Sequence, residues 1–148
     1  MIVKDAQSMQ NLGFDFAKNL SAPAVVELLG DVGAGKTTFV QGLAKGLGVE
    51  DVVTSPSFTI SKEYQGKNCR LVHFDFYRLN NPGLLMSDLL EKMHDPNNIV
   101  VIEWGESVAN ILPKKHPRVV FQYLDDGTRL VEQYLWNFFS TRLKQLLF

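Results

Sequence analysis

Cysteine is almost missing: Cys69 stands alone among 148 residues, which excludes an internal disulfide and suits a reducing compartment. It falls in a strand-like stretch, where packing rather than chemistry is its expected use. Long apolar runs are missing too, since none approaches the ~20 residues that span a bilayer. The first five residues lack a basic start followed by an apolar core, so no secretory leader is expected and the reading is cytoplasmic, without a membrane. Nor is there an excess of one charge. Fifteen Lys and Arg face 16 Asp and Glu for a net −1, and no long run of one sign occurs, which argues against a strong direct grip on nucleic acid. The one basic cluster, residues 114–118, reads as a solvated loop. Repeats, linkers and low-complexity tracts do not occur. A chain of this length, 45% hydrophobic, is expected to fold as a single domain over residues 1–148 without covalent staples.

What the chain has is a concentration of glycine ahead of a lysine. Gly30, Asp31, Val32, Gly33, Ala34, Gly35, Lys36, Thr37 and Thr38 satisfy G-x-x-x-x-G-K-[ST], a phosphate-binding P-loop. Glycines let successive backbone N–H groups turn inward around phosphate, Lys36 reaches the β and γ oxygens, and the Thr37 hydroxyl suits Mg²⁺. Context supports the motif: residues 24–29 read as a short buried strand and residues 37–47 as a helix whose N-terminus faces the phosphates.

Elsewhere, Asp5 caps a predicted helix with Met9, Leu12, Phe16 and Leu20 on one face, broken by Ser21, Ala22 and Pro23. Residues 54–59 form a hydroxyl-rich loop into a strand over 58–65, which turns at 66–68 into a second strand over 69–76. Residues 80–83 open a helix carrying Leu85, Leu89, Leu90 and Met93. A turn at 95–98 leads to the continuous apolar strand 99–102, as expected of a strand covered on both faces. A second hairpin pairs 119–124 with 129–136, and Phe138, Phe139, Leu143, Leu146 and Leu147 suggest a closing helix. The fold class is α/β: a P-loop NTPase-like domain with a mixed parallel and antiparallel sheet flanked by helices.

A nucleoside triphosphatase also needs an acidic group for metal, a group to position water and a positive charge. Two strand ends offer them. In His73-Phe74-Asp75-Phe76-Tyr77-Arg78, alternation places His73, Asp75 and Tyr77 on one side and the two phenylalanines on the other. In Ile102-Glu103-Trp104, Glu103 ends a buried strand like a Walker-B carboxylate, suited to orient attacking water or to hold Mg²⁺ through water. Trp104 is either core or a ring that shields the phosphates.

The P-loop, the Thr54-Ser55-Pro56-Ser57-Phe58-Thr59 stretch, the His73 to Leu79 stretch and Ile102-Glu103-Trp104-Gly105-Glu106 together resemble the four signature segments of the TsaE (YjeE) family, in the family's order. The resemblance implies a small bacterial P-loop ATPase that works with the TsaB and TsaD proteins. Their product is threonylcarbamoyladenosine at position 37 of tRNAs reading codons that start with A, and tRNA is met indirectly through the complex. It implies ATP and Mg²⁺ as cofactors, with Lys36 and Thr37 on phosphate and metal, Asp75 on the metal, Glu103 and Trp104 in activity, and residues 54–59 as a switch-like loop. Residues 82–93 depart from the family pattern in lacking a glycine-acidic stretch after Tyr-Arg-Leu.

Three other readings compete. A small-molecule or nucleoside kinase shares the P-loop, but the five arginines (Arg70, Arg78, Arg118, Arg129 and Arg142) are too scattered for an arginine-rich lid. A GTPase would carry an [NT]-K-x-D guanine segment, which does not occur. An ATP-occupied regulatory module with little turnover has the same motifs and is separated only by measured hydrolysis.

Overall fold

A computed structural model describes residues 1–77 and 79–135. After the short strand β1 (Ile2–Val3), the Asp5 carboxylate accepts the Ser8 backbone N–H at 2.7 Å and caps helix α1 (Ala6–Ala17), which buries Met9, Leu12 and Phe16. The helix stops short of Leu20. Bonds from the Lys18, Asn19 and Leu20 N–H groups to carbonyls three residues back tighten its end, and Leu20 reaches the same core from the turn beyond.

Strand β2 (Ala24–Leu29) runs into the glycine loop, and helix α2 (Lys36–Gly46) leaves it. The two helices cross at close range because the tightest contact points are glycine. A Cβ on Gly13 would lie 2.1 Å from the Phe39 carbonyl oxygen, and one on Gly42 1.9 Å from that of Gln10.

Strands β3 (Ser61–Gln65) and β4 (Arg70–Asp75) make the first antiparallel hairpin. The expected strand start at Phe58 is wrong by three residues. Thr59 and Ile60 N–H groups bond back to the Pro56 carbonyl, Ile60 sits at φ 69°, and Phe58 is left exposed. Cys69 is buried just ahead of β4. Helix α3 (Leu85–His94) begins only after residues 80–83, and it buries Leu89 while Leu85, Leu90 and Met93 are half-covered.

Strand β5 (Asn98–Glu103) is buried along its whole length and passes into a 3₁₀ turn at Gly105–Val108. Strands β6 (Arg118–Tyr123) and β7 (Arg129–Tyr134) close the second hairpin. The suggested closing helix, Trp136 and Arg142 lie outside the described residues.

The described strands form one sheet in the order β1-β7-β6-β2-β5-β4-β3. β6, β2, β5 and β4 are mutually parallel and the flanking pairs antiparallel, so the sheet is mixed as the sequence predicts. One core packs α1 and α2 against Val26, Leu28, Leu71, Ile99 and Val101, with Phe39 in edge contact with Phe16 and Phe121 at 5.5 Å each. The second packs Leu89 of α3 and Val108 against Val72, Phe74, Phe76, Val100 and Ile102.

The basic cluster at 114–118 follows its predicted solvated role only in part: Lys114 and Lys115 are exposed, whereas His116 and Arg118 turn inward. His116 is buried, and its Nε2 and the Arg118 Nε both lie 2.9 Å from Glu27 Oε2, a buried carboxylate of β2. Burial pushes the Glu27 carboxyl up, but the His116 hydrogen bond and the Arg118 charge outweigh it, and the group ends below its ordinary range. Among the described residues, no helix is long and apolar enough to cross a membrane.

Candidate functional site

Parallel strands β2, β5 and β4 lay their carboxyl ends at one sheet edge, the place where open α/β sheets bind ligands. A cavity of about 310 Å³ opens there. Its wall is Val32, Gly33, Gly35, Lys36, Thr37 and Thr38 from the loop and first turn of α2, Ser55 and Ser57 from the following loop, and Asp75, Tyr77, Glu103 and Trp104 from the strand ends. Of the loop residues named from sequence, Ala34 is buried and Asp31 is exposed, and neither joins this wall.

Gly35 caps α2 at φ 105°, a left-handed conformation that glycine adopts without strain, and it supplies no capping side chain to the first N–H groups of the helix. Those groups, at the positive end of the helix, are suited to an anion. Lys36 turns back over the loop: its Nζ donates to the Gly30 carbonyl at 2.6 Å and to the Asp31 carbonyl at 2.9 Å. Burial pulls the ammonium below its ordinary range, against Glu103, Asp75, Asp31 and Glu106, which favour the charge.

The two strand-end carboxylates are register partners, Asp75 of β4 against Glu103 of β5, so they share a face and both are buried. Asp75 is not a surface residue closing a strand. Its Oδ2 accepts from Ser57 Oγ at 2.8 Å and its Oδ1 from the Tyr77 backbone N–H at 2.9 Å. Glu103 Oε1 lies 2.8 Å from His73 Nε2. Phe74 and Phe76 occupy the opposite face and stack at 5.6 Å, as alternation predicts. Arg78, the candidate positive charge, lies outside the described residues.

Trp104 takes φ 55°, which turns the chain out of β5 and brings its ring over the cavity. The Lys36 ammonium is 5.0 Å from the ring centroid and the Tyr77 ring 4.8 Å away. Ser55, Ser57 and Tyr77 join this wall although the motifs do not name them as binding residues. The hydroxyl density of residues 54–59 and the alternation through His73, Asp75 and Tyr77 were the signals that pointed to them.

The donor set fits the groups the motif implies. A buried ammonium, uncapped helix N–H groups and a left-handed glycine suit phosphate. The Thr37 hydroxyl and the Asp75 and Glu103 carboxylates are hard oxygen donors of the kind Mg²⁺ accepts, usually one or two from protein with the rest from phosphate and water. A smaller cavity of about 150 Å³ shares Gly33, Gly35 and Thr38 with the first and adds Asp5, Ala6, Met9 and Arg129.

Residues 3–131 match the family model described as Threonylcarbamoyl adenosine biosynthesis protein TsaE. The chain is 38% identical over 135 residues to the tRNA threonylcarbamoyladenosine biosynthesis protein TsaE of Nostoc sp., covering 89% of this chain and 83% of that one. It is 37% identical over 128 residues to the protein of the same name from Treponema pallidum, covering 86% and 94%. Among solved structures, that of YdiB from Bacillus subtilis superposes with a TM-score of 0.77 at 27% identity, covering 99% of this chain and 88% of that one. With a P-loop, two strand-end carboxylates and an overhanging tryptophan at one sheet edge, and with the family model matched from the first strand to the last, this chain belongs to the TsaE family of tRNA threonylcarbamoyladenosine biosynthesis.

Proposed function

We propose that this chain is a single-domain cytoplasmic ATPase, converting ATP and water to ADP and phosphate, and that it acts with TsaB and TsaD in placing threonylcarbamoyladenosine at position 37 of tRNA. The observation that carries this reading is the convergence of Lys36, Thr37, Asp75 and Glu103 on one cavity at the sheet edge. Phosphate would take over the Lys36 hydrogen bonds now made to the Gly30 and Asp31 carbonyls and the N–H groups at the start of α2. Thr37 and Asp75 would hold Mg²⁺, which supplies charge neutralisation at the phosphate oxygens.

Glu103 is the residue suited to align the attacking water, and the Trp104 ring covers the site against bulk solvent. The smaller cavity beside Thr38 leaves room for the nucleoside. Turnover by the isolated chain is expected to be slow, because no arginine lies in the glycine loop or in residues 54–59 to stabilise the transition state. Steady-state phosphate release with and without TsaB and TsaD tests the proposal. Weak basal hydrolysis stimulated by the pair is expected; fast hydrolysis indifferent to them would defeat it.

A further inference from the structure

His73 is fully buried, and the mechanism above gives it no task. Its Nε2 lies 2.8 Å from Glu103 Oε1, and a carboxylate oxygen accepts, so Nε2 carries the hydrogen. Its Nδ1 is buried without a hydrogen-bond partner among the described residues. A histidine kept for packing or fold would be expected to satisfy both nitrogens, since an unpaired buried polar atom is destabilising. Here the ring is aimed at Glu103 alone. The register explains the reach: His73 of β4 pairs with Val101 of β5, and Glu103 lies two residues further on the same face, so the imidazole bridges diagonally to the carboxylate.

We propose that His73 is a positioning residue for Glu103: by holding Oε1 from within the sheet, it leaves Oε2 to accept the hydrogen bond of the attacking water. A glutamate has three side-chain torsions, and a base displaced by about 1 Å can lose on the order of 10²-fold in rate. One buried donor fixes the carboxylate plane without contacting substrate. This inference rests on the reading of Glu103 as the water-aligning group.

Two measurements test it. In nucleotide-free protein, a long-range ¹⁵N–¹H imidazole spectrum should report His73 as the Nε2–H tautomer, and the Nδ1–H tautomer would overturn the proposal. In phosphate-release assays with TsaB and TsaD present, His73→Leu should lower kcat about 10- to 100-fold while leaving ATP·Mg²⁺ affinity within about twofold. His73→Gln, whose amide can still donate, should recover most of the rate. If His73→Leu does not fold, His73→Asn, too short to reach Glu103, takes its place.

In a Glu103→Ala background the same His73 substitution should lower the residual rate no further. A full additional loss there, or a parallel loss of binding, shows a structural role and overturns the inference. Wild-type turnover by Glu103→Ala defeats the reading of Glu103 and this inference with it. Normal turnover by folded His73→Leu or His73→Asn beside an impaired Glu103→Ala protein defeats the inference alone.

Discussion

Replacing Lys36 by methionine keeps the length and apolar stem of the side chain and removes the ammonium. In the nucleotide-free protein that ammonium is buried, and its depressed pKa means that the folded state holds the charge less readily than the unfolded chain. For a base the sign follows directly. The penalty is fully present below the folded pKa and is relieved as pH rises toward the ordinary lysine value. Lys36→Met should therefore leave nucleotide-free stability at pH 7 unchanged or raised, and wild type should gain on it in the alkaline range.

ATP binding should respond in the opposite direction. Nζ now places two hydrogen bonds on loop carbonyls. Redirected to phosphate, those two bonds are exchanged rather than added, so the gain is the excess of a charged over a neutral acceptor, about 0.5 to 1.5 kcal/mol for each bond and about 1 to 3 kcal/mol in all, or roughly 5- to 150-fold in affinity. Calorimetric titration with ATP·Mg²⁺, paired with urea unfolding of nucleotide-free protein between pH 7 and 10, measures both effects. A variant that binds ATP normally would refute the phosphate role. One that unfolds at markedly lower urea would show that Lys36 exists to pin the loop through Gly30 and Asp31.

The carboxylates should separate in a different way. Asp75→Asn is expected to weaken Mg²⁺-dependent binding of ATP, whereas Glu103→Gln binds ATP·Mg²⁺ normally and fails to turn over; equal loss of binding in both would contradict the division of labour. Glu27→Gln leaves His116 and Arg118 facing a neutral amide in a buried site, and at pH 7 should cost about 3 kcal/mol by urea unfolding. Because the Glu27 pKa is lowered on folding, that difference is present above the ordinary glutamate range and should shrink as pH falls through the folded value. Gly42→Ala drives a methyl into the Gln10 backbone and should lower stability by more than about 2 kcal/mol, a loss that an unchanged thermal midpoint would disprove.

Much of this arrangement is readable from residues alone. The glycine loop, the apolar strand before it and the run ending in Glu103 each carry a local signal, and the two hairpins follow from turn residues between strand-like stretches. The errors have particular physical causes. Phe58 and Ile60 have strand propensity, but Pro56 offers its carbonyl to Thr59 and Ile60, and a local turn wins over the ladder. Leu20 keeps the helical spacing while the helix end tightens beneath it. Residues 114–118 read as a solvated loop, and nothing local in strand 24–29 marks a partner there for Glu27. Their pairing spans 89 residues and depends on β6 lying beside β2, which no local pattern reports. The bond between His73 and Glu103 is hidden for the same reason, since it appears only once β4 and β5 are set side by side.

That setting has a consequence for how such chains vary. Asp75 and Glu103 face one another because two parallel strands are in register, not because the crossover between them has a particular length. Residues 79–97, which include α3, join the bottom of one strand to the top of the other from behind the sheet, so insertions or deletions there leave the separation of the two carboxylates untouched. Residues 82–93 fall inside this tolerant crossover. Within β4 or β5 the opposite holds: one inserted residue between Leu71 and Asp75 would send that carboxylate to the face occupied by Phe74 and Phe76. A change of length is thus expected to be harmless to the carboxylate pair in the connection and ruinous to it in the strands.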